Sequence, residues 1–180
     1  MIATAQQNAF SKRDKSPERD WQFSMPNAAD GDDVYSLIAN SPPLDVNSLY
    51  CNFLQSTHFR QTCLLARHEG ELSGFVSGYR KPDDPNTLFV WQVAVSKTCR
   101  GRGLAYKMME RLIATQVKHG VTAIETTITK ENQASWALFK KLDVVNGERG
   151  NVSTFLDENT HFKGKHDTEY LYRIPLNTPQ

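Results

Sequence analysis

A chain of 180 residues with 21 Lys and Arg against 20 Asp and Glu carries a formal charge of only +1, which excludes a bulk basic surface for wrapping nucleic acid. At 39% hydrophobic and 23% charged it reads as globular rather than disordered, and its length suits one domain with a full core. No apolar run approaches the ~20 residues of a membrane span, and the N-terminus lacks the apolar segment of a secretory signal.

Residues 1–19 read as a disordered tail, and a single domain is expected over 20–180. Residues 21–24 form a short strand that Pro26 ends. A helix over 30–40 follows, with Asp30 placed to cap it and Val34, Leu37 and Ile38 on one face. Pro42 and Pro43 stop it. A second helix over 47–59 turns Leu49, Phe53 and Leu54 inward. The period then changes. Residues 61–67 and 72–79 read as strands around a hairpin turn at Glu69-Gly70. The run KPDDPN (81–86) is a turn, because two prolines and three Asp/Asn cannot continue a strand. LFVWQVAV (88–95) is almost wholly apolar and reads as a central strand buried on both faces.

Residues 103–119 give the clearest helix, with Leu104, Met108, Leu112, Ile113 and Val117 at helical spacing and Gly120 to end it. A strand over 121–129 and a helix over 131–142 come next. Residues 143–166 are polar and loop-rich, with a strand at 152–155 inside them, and a last strand spans 169–176. The order β-α-α-β-β-β-α-β-α-β-β describes a mixed α/β layer fold around one sheet. Cys51, Cys63 and Cys99 are odd in number and widely spaced, which disfavours a disulfide framework or a CxxC zinc site and fits a reducing cytosol. His161 and His166 are not at helical metal spacing, so no metal is expected.

The strongest constellation is WQVAV, then SKTC, then RGRGLA opening the long helix. A glycine loop at a helix N-terminus presents unpaired N–H groups and the positive dipole end, which makes an anion site. Gly101 and Gly103 let backbone approach a phosphate. Five basic residues (Lys97, Arg100, Arg102, Lys107, Arg111) face one acidic residue between 96 and 111. The Walker pattern is absent, and Tyr106 stands where the dinucleotide pattern needs a third small residue. The loop matches [QR]-x-x-G-x-[GA] at Arg100, Gly103 and Ala105. Together with Asn132 and the Ala134, Ser135, Ala137, Leu138, Phe139 run after it, this resembles the Gcn5-related acetyltransferase family. The structural alternative is a solvated basic helix start behind a glycine turn.

The resemblance implies a single-domain acyl-CoA N-acyltransferase fold, with a mixed, mostly antiparallel sheet flanked by helices, and acetyl-CoA as co-substrate. It implies a cofactor site made of Val93, Val95, Arg100, Gly101, Arg102, Gly103, Leu104, Ala105, Asn132 and Phe139. The strand ending at Val95 is splayed from its neighbour in that family, so that backbone near Val93 and Val95 pairs with the pantetheine arm and one N–H polarises the thioester carbonyl. Many members carry a tyrosine as proton donor to the leaving thiolate where this chain has Phe139.

A narrower resemblance rests on PPLDVNSLY (42–50) and its continuation to Cys63, SGFVSGY (73–79), LFVWQVAV (88–95) and ETTITKENQASWALFKKL (125–142). These segments are similar to the diaminobutyrate acetyltransferases of ectoine biosynthesis, over nearly all of the chain after residue 20. That family acetylates the γ-amine of L-2,4-diaminobutyrate on the way to the osmoprotectant ectoine, and a homodimer in the cytoplasm is its expected state. Between Asp20 and Phe59 there are five acidic residues and no Lys or Arg, an acidic arm that suits a cationic amine beside a basic cofactor loop. An alkylamine with a pKa near ~10.4 is roughly 99.6% protonated at pH 8, so a base or relaying water is needed.

Asp45, His166 and Glu169 are the candidates for this catalytic work, and they also bind the acceptor. Tyr50 and Trp91 would wall its pocket, where a Trp face suits a cation. Each has a bland alternative: a turn residue for Asp45, plain core for Trp91, solvated loop charges for His166 and Glu169. Two other functions stay open, an acetyltransferase of another small diamine or amino acid and a CoA-binding module without turnover.

Overall fold

The computed structural model describes residues 21–177, and the expected tail over 1–19 lies outside the described residues. Seven strands form one sheet in the order β1-β2-β3-β4-β5-β7-β6. They are β1 (Gln22–Ser24), β2 (Leu64–His68), β3 (Glu71–Arg80), β4 (Thr87–Val95), β5 (Ala123–Thr129), β6 (Asn151–Leu156) and β7 (Glu169–Pro175). Neighbours run antiparallel except β4 and β5, which are parallel. A parallel pair needs a crossover, and α3 (Leu104–Val117) supplies it. The other helices are α1 (Gly31–Ala39), α2 (Leu49–Thr57) and α4 (Gln133–Val145).

Two cores sit on opposite faces of the sheet. Leu104, Met108 and Leu112 of α3 and Leu142 of α4 pack with Val76, Leu88, Val90 and Ile124. Burying each such side chain contributes about 1.5–3 kcal/mol. On the other face Val34 and Ile38 of α1 pack with Leu65, Phe75 and Ala94. Among the described residues no helix packs on that face over β5, β7 and β6. Glu125 on β5 is buried there and paired with Lys81 Nζ at 3.0 Å and Arg173 Nη1 at 2.7 Å. This ties β3, β5 and β7 together beside the short stretch where β4 and β5 still pair.

Several local expectations need correction. Asp30 does not cap α1; its carboxylate accepts the Asn27 N–H at 2.8 Å and meets Arg67 at 2.6 Å. Asp33 meets the same guanidinium at 3.4 Å, so two of the five acidic residues of the arm are spent on a structural cation rather than aimed at a ligand. The buried face of α2 is polar, made of Asn52, Gln55 and Ser56, while Leu49 is 42% exposed. Gln61 and Thr62, read as the start of a strand, belong to a 3₁₀ turn over Arg60–Thr62. LFVWQVAV is not buried on both faces, because Trp91 is 44% exposed. The hairpin at Glu69-Gly70 forms with φ of 51° and 85°, the two positive values that a tight two-residue turn demands.

Candidate active site

The sheet opens at one place. β4 pairs with β5 only from Thr87 to Phe89. Beyond that, β4 stays on β3 while β5 follows β7. The edge of β4 around Val93 therefore faces a gap. At the end of β4, Gly101 and Gly103 take φ of 71° and 76°, where a Cβ would be strained. Gly103 is the N-cap of α3 and supplies no side-chain cap. The first N–H groups of α3 are thus left for an anion, at the positive end of its dipole.

Gap and loop together form a cleft of about 320 Å³. Val93, Val95, Arg100, Gly101, Gly103, Leu104, Ala105 and Asn132 line it. Arg102 lies between the two lining glycines with its side chain exposed. One expected cofactor residue stands elsewhere. Phe139 is 2% exposed and packed in the main core; one residue along a helix turns about 100°, and Leu138 reaches the cleft in its place. The Val95 carbonyl is already engaged by Arg100 Nε at 3.1 Å. Asn132 caps α4 by accepting the Ser135 N–H at 3.1 Å. Ser41, Pro42, Pro43 and Leu44 also line the cleft. The sequence showed the prolines as a helix stop and as the start of a family-like segment but not as part of the cleft, because nothing local says which surface a loop will cover.

Asp45, His166 and Glu169 come together from the α1–α2 loop, the β6–β7 loop and the first residue of β7. His166 Nε2 lies 3.5 Å from Asp45 Oδ2 and 3.9 Å from Glu169 Oε1. His166 Nδ1 is 2.8 Å from the Asp167 carbonyl, so this nitrogen carries the proton and Nε2 faces the carboxylates. That carbonyl, and then the two carboxylates, raise the imidazole pKa against the opposing effect of burial. Burial raises the Glu169 pKa, with the Thr127 hydroxyl and His166 working the other way. Its Oε2 is buried without a hydrogen-bond partner, while Asp45 is 81% exposed at its side chain. Trp91 meets Tyr79 edge-on at 6.5 Å between ring centroids. Tyr50, at 72% exposed, stands in the first turn of α2.

Gln92 was missed in the sequence. Its Nε2 donates to the Asp45 carbonyl at 2.8 Å, and its Oε1 accepts from Asn47 Nδ2 at 2.7 Å. One buried amide on the open part of β4 thus holds the loop that carries Asp45. The signal was present as a lone polar residue inside LFVWQVAV. Among the described residues no cluster of His, Cys, Asp and Glu is arranged to hold a metal ion.

Comparison with known proteins places this geometry. The family model described as "Acetyltransferase (GNAT) family" matches residues 31–143. The L-2,4-diaminobutyric acid acetyltransferase of Vibrio parahaemolyticus is 57% identical over 176 residues, covering 98% of this chain and 97% of the relative. That of Vibrio cholerae is 57% identical over 162 residues, covering 90% and 94%. The structure of diaminobutyrate acetyltransferase EctA from Paenibacillus lautus, in complex with L-2,4-diaminobutyric acid and coenzyme A, is 36% identical with a TM-score of 0.83, covering 90% of this chain and 99% of that one. With a family model over most of the folded residues and relatives matched end to end, the chain belongs to the acetyltransferase (GNAT) family and, within it, to the L-2,4-diaminobutyric acid acetyltransferases.

Proposed function

We infer that this chain transfers the acetyl group of acetyl-CoA to the 4-amino group of L-2,4-diaminobutyrate, giving N4-acetyl-L-2,4-diaminobutyrate for ectoine biosynthesis. One juxtaposition carries the reading. The free edge of β4 and the glycine loop form a slot for the coenzyme, and Gln92 on that same stretch holds the loop of a carboxylate–imidazole–carboxylate cluster. Backbone N–H groups of the loop and the α3 N-terminus bind the pyrophosphate. A backbone N–H on the open part of β4 polarises the thioester carbonyl. The amine attacks directly in a ternary complex, and the thiolate leaves.

Glu169 takes the ammonium proton. It is the better base of the two carboxylates because burial raises its pKa toward working pH. His166 orients it, and the exposed Asp45 draws in the cationic acceptor. Trp91 and Tyr50 wall the acceptor pocket. Phe139 has no hydroxyl to serve as an acid and lies in the core. Acetyl-CoA and diaminobutyrate together should release free thiol, with the acetylated nitrogen assigned by NMR to position 4. Double-reciprocal lines should intersect. Thiol release equal with and without diaminobutyrate overturns the substrate, and parallel lines with an acetylated enzyme overturn direct transfer.

Gln92→Met removes both hydrogen bonds at similar volume. At about 1 kcal/mol each, the KM for diaminobutyrate should rise about thirtyfold, with the KM for acetyl-CoA within about twofold of wild type. Equal changes in both constants would assign Gln92 to general folding instead.

A homodimer fits the face of β5, β7 and β6 that no helix covers among the described residues. Light scattering at micromolar concentration should give twice the 20.4 kDa chain mass; a monomer mass rejects it. A cytosolic setting fits three cysteines outside any disulfide among the described residues, two of them buried.

A further inference from the structure

Ser41 carries a hydroxyl that no group among the described residues pairs with. The residue sits in the turn after α1. Its backbone is satisfied: the N–H donates to the Ile38 carbonyl at 2.9 Å, and its carbonyl accepts the Leu44 N–H at 3.1 Å. The side chain is not. Ser41 is 3% exposed, and its buried Oγ has no hydrogen-bond partner. Burying an unmatched hydroxyl costs stability, so such a group in a native structure calls for an explanation. Alanine at this position would avoid that cost.

Its location supplies the explanation. Ser41 lines the coenzyme cleft together with Pro42, Pro43 and Leu44. It also lines the adjoining polar pocket with Ser96, Lys97 and Thr98. It therefore stands beside the C-terminal end of β4, where the cleft leads to the glycine loop. The neighbouring prolines have no N–H to give, so Ser41 carries the side-chain donor of this stretch, its Oγ tucked behind the wall and brought to the cleft by rotation about χ1. A pantetheine arm brings amide carbonyls that need such donors once they leave water.

We propose that Ser41 is a coenzyme-binding residue, whose Oγ–H donates to an amide carbonyl of the pantetheine arm. This rests on the assignment of the cleft to acetyl-CoA. The hydroxyl is an orphan in the free protein and becomes satisfied on binding. Its removal therefore affects the free and bound states in opposite directions.

The test compares Ser41→Ala with wild type in the full chain. Calorimetric titration should show CoA binding weakened about fivefold to tenfold. The KM for acetyl-CoA should rise in parallel, with kcat and the KM for diaminobutyrate within about twofold. The thermal midpoint of the free protein should stay the same or rise. Adenosine 3′,5′-bisphosphate, which has the nucleotide end but no pantetheine, should inhibit both proteins equally. Three results would overturn the proposal: unchanged CoA affinity, an equal loss for the bisphosphate, or a fall in the free protein's midpoint that accounts for the loss. Ser41→Cys, close in volume but a poor donor, should behave like the alanine variant. Wild-type protein that fails to bind CoA at all would instead defeat the cofactor assignment on which the proposal stands.

Discussion

Glu169→Gln should lower kcat by about a hundredfold or more, while CoA affinity stays near wild type. The estimate follows from the usual 10²–10⁴-fold worth of a positioned general base. Gln keeps the shape of Glu but cannot take a proton, and the acceptor amine arrives almost wholly as ammonium. The environment of Glu169 favours this role. One oxygen faces His166 at 3.9 Å, and the other is buried without a partner. Burial is the leading cause of its raised pKa.

The direction of that shift predicts a pH profile. A carboxylate whose pKa is raised becomes a base only above the ordinary Glu range. The acid limb of kcat/KM should therefore lie above that range, with activity falling as pH drops through it. Glu169→Gln should abolish the limb together with most of the rate. His166 adds a second effect. Its raised pKa keeps the ring protonated further up the pH scale, and the charge that couples it to Asp45 and Glu169 is lost as pH rises. Stopped-time thiol release from acid to alkaline pH measures both limbs. Wild-type turnover in the glutamine variant would remove Glu169 as the base and leave Asp45→Asn as the next test.

Gly78→Ala should destabilise the protein by about 3 kcal/mol, lowering the thermal midpoint by about 6–12 °C in a chain of this size. A Cβ on Gly78 would lie 2.7 Å from the Phe89 carbonyl and 3.3 Å from that of Thr62. Both neighbours are backbone, so neither can swing aside as a side-chain tip would. The site also matters for function. The β3–β4 register shifts between Ser77 and Gly78, and Gly78 then pairs with Val90. Val90 is the first residue of β4 beyond its pairing with β5. Pushing the strands apart here disturbs both the core and the opening of the cleft. Differential scanning calorimetry with and without CoA measures each effect. A midpoint within about 2 °C of wild type would show that the bulge absorbs the methyl group.

The glycine loop was readable in the sequence because its chemistry is local. Anion binding at a helix start needs glycines, nearby N–H groups and a following helix, and all three are contiguous in RGRGLA. The stripe of α3 and the Glu69-Gly70 turn were readable for the same reason. Phe139 was misplaced because a motif gives positions along a helix but not its rotation against the sheet. The inward face of α2 was misjudged because apolar residues were assumed to point in. Instead Asn52, Gln55 and Ser56 are buried and Leu49 is exposed, while Phe53 does pack inward, over Gly31 of α1.

The sequence by itself determined the order of elements, the anion loop and, through family likeness, the chemical class of both substrates. Those depend on residues near one another in the chain or on patterns that repeat along it. Only the tertiary structure decided what the charges do. The acidic stretch that appeared to face a ligand is divided between Arg67, which takes Asp30 and Asp33, and His166, which takes Asp45. The net charge of +1 carries no trace of that division. Coulomb attraction falls with distance through space, and distance through space is set by how β2, β7 and the α1–α2 loop pack, not by their separation in sequence.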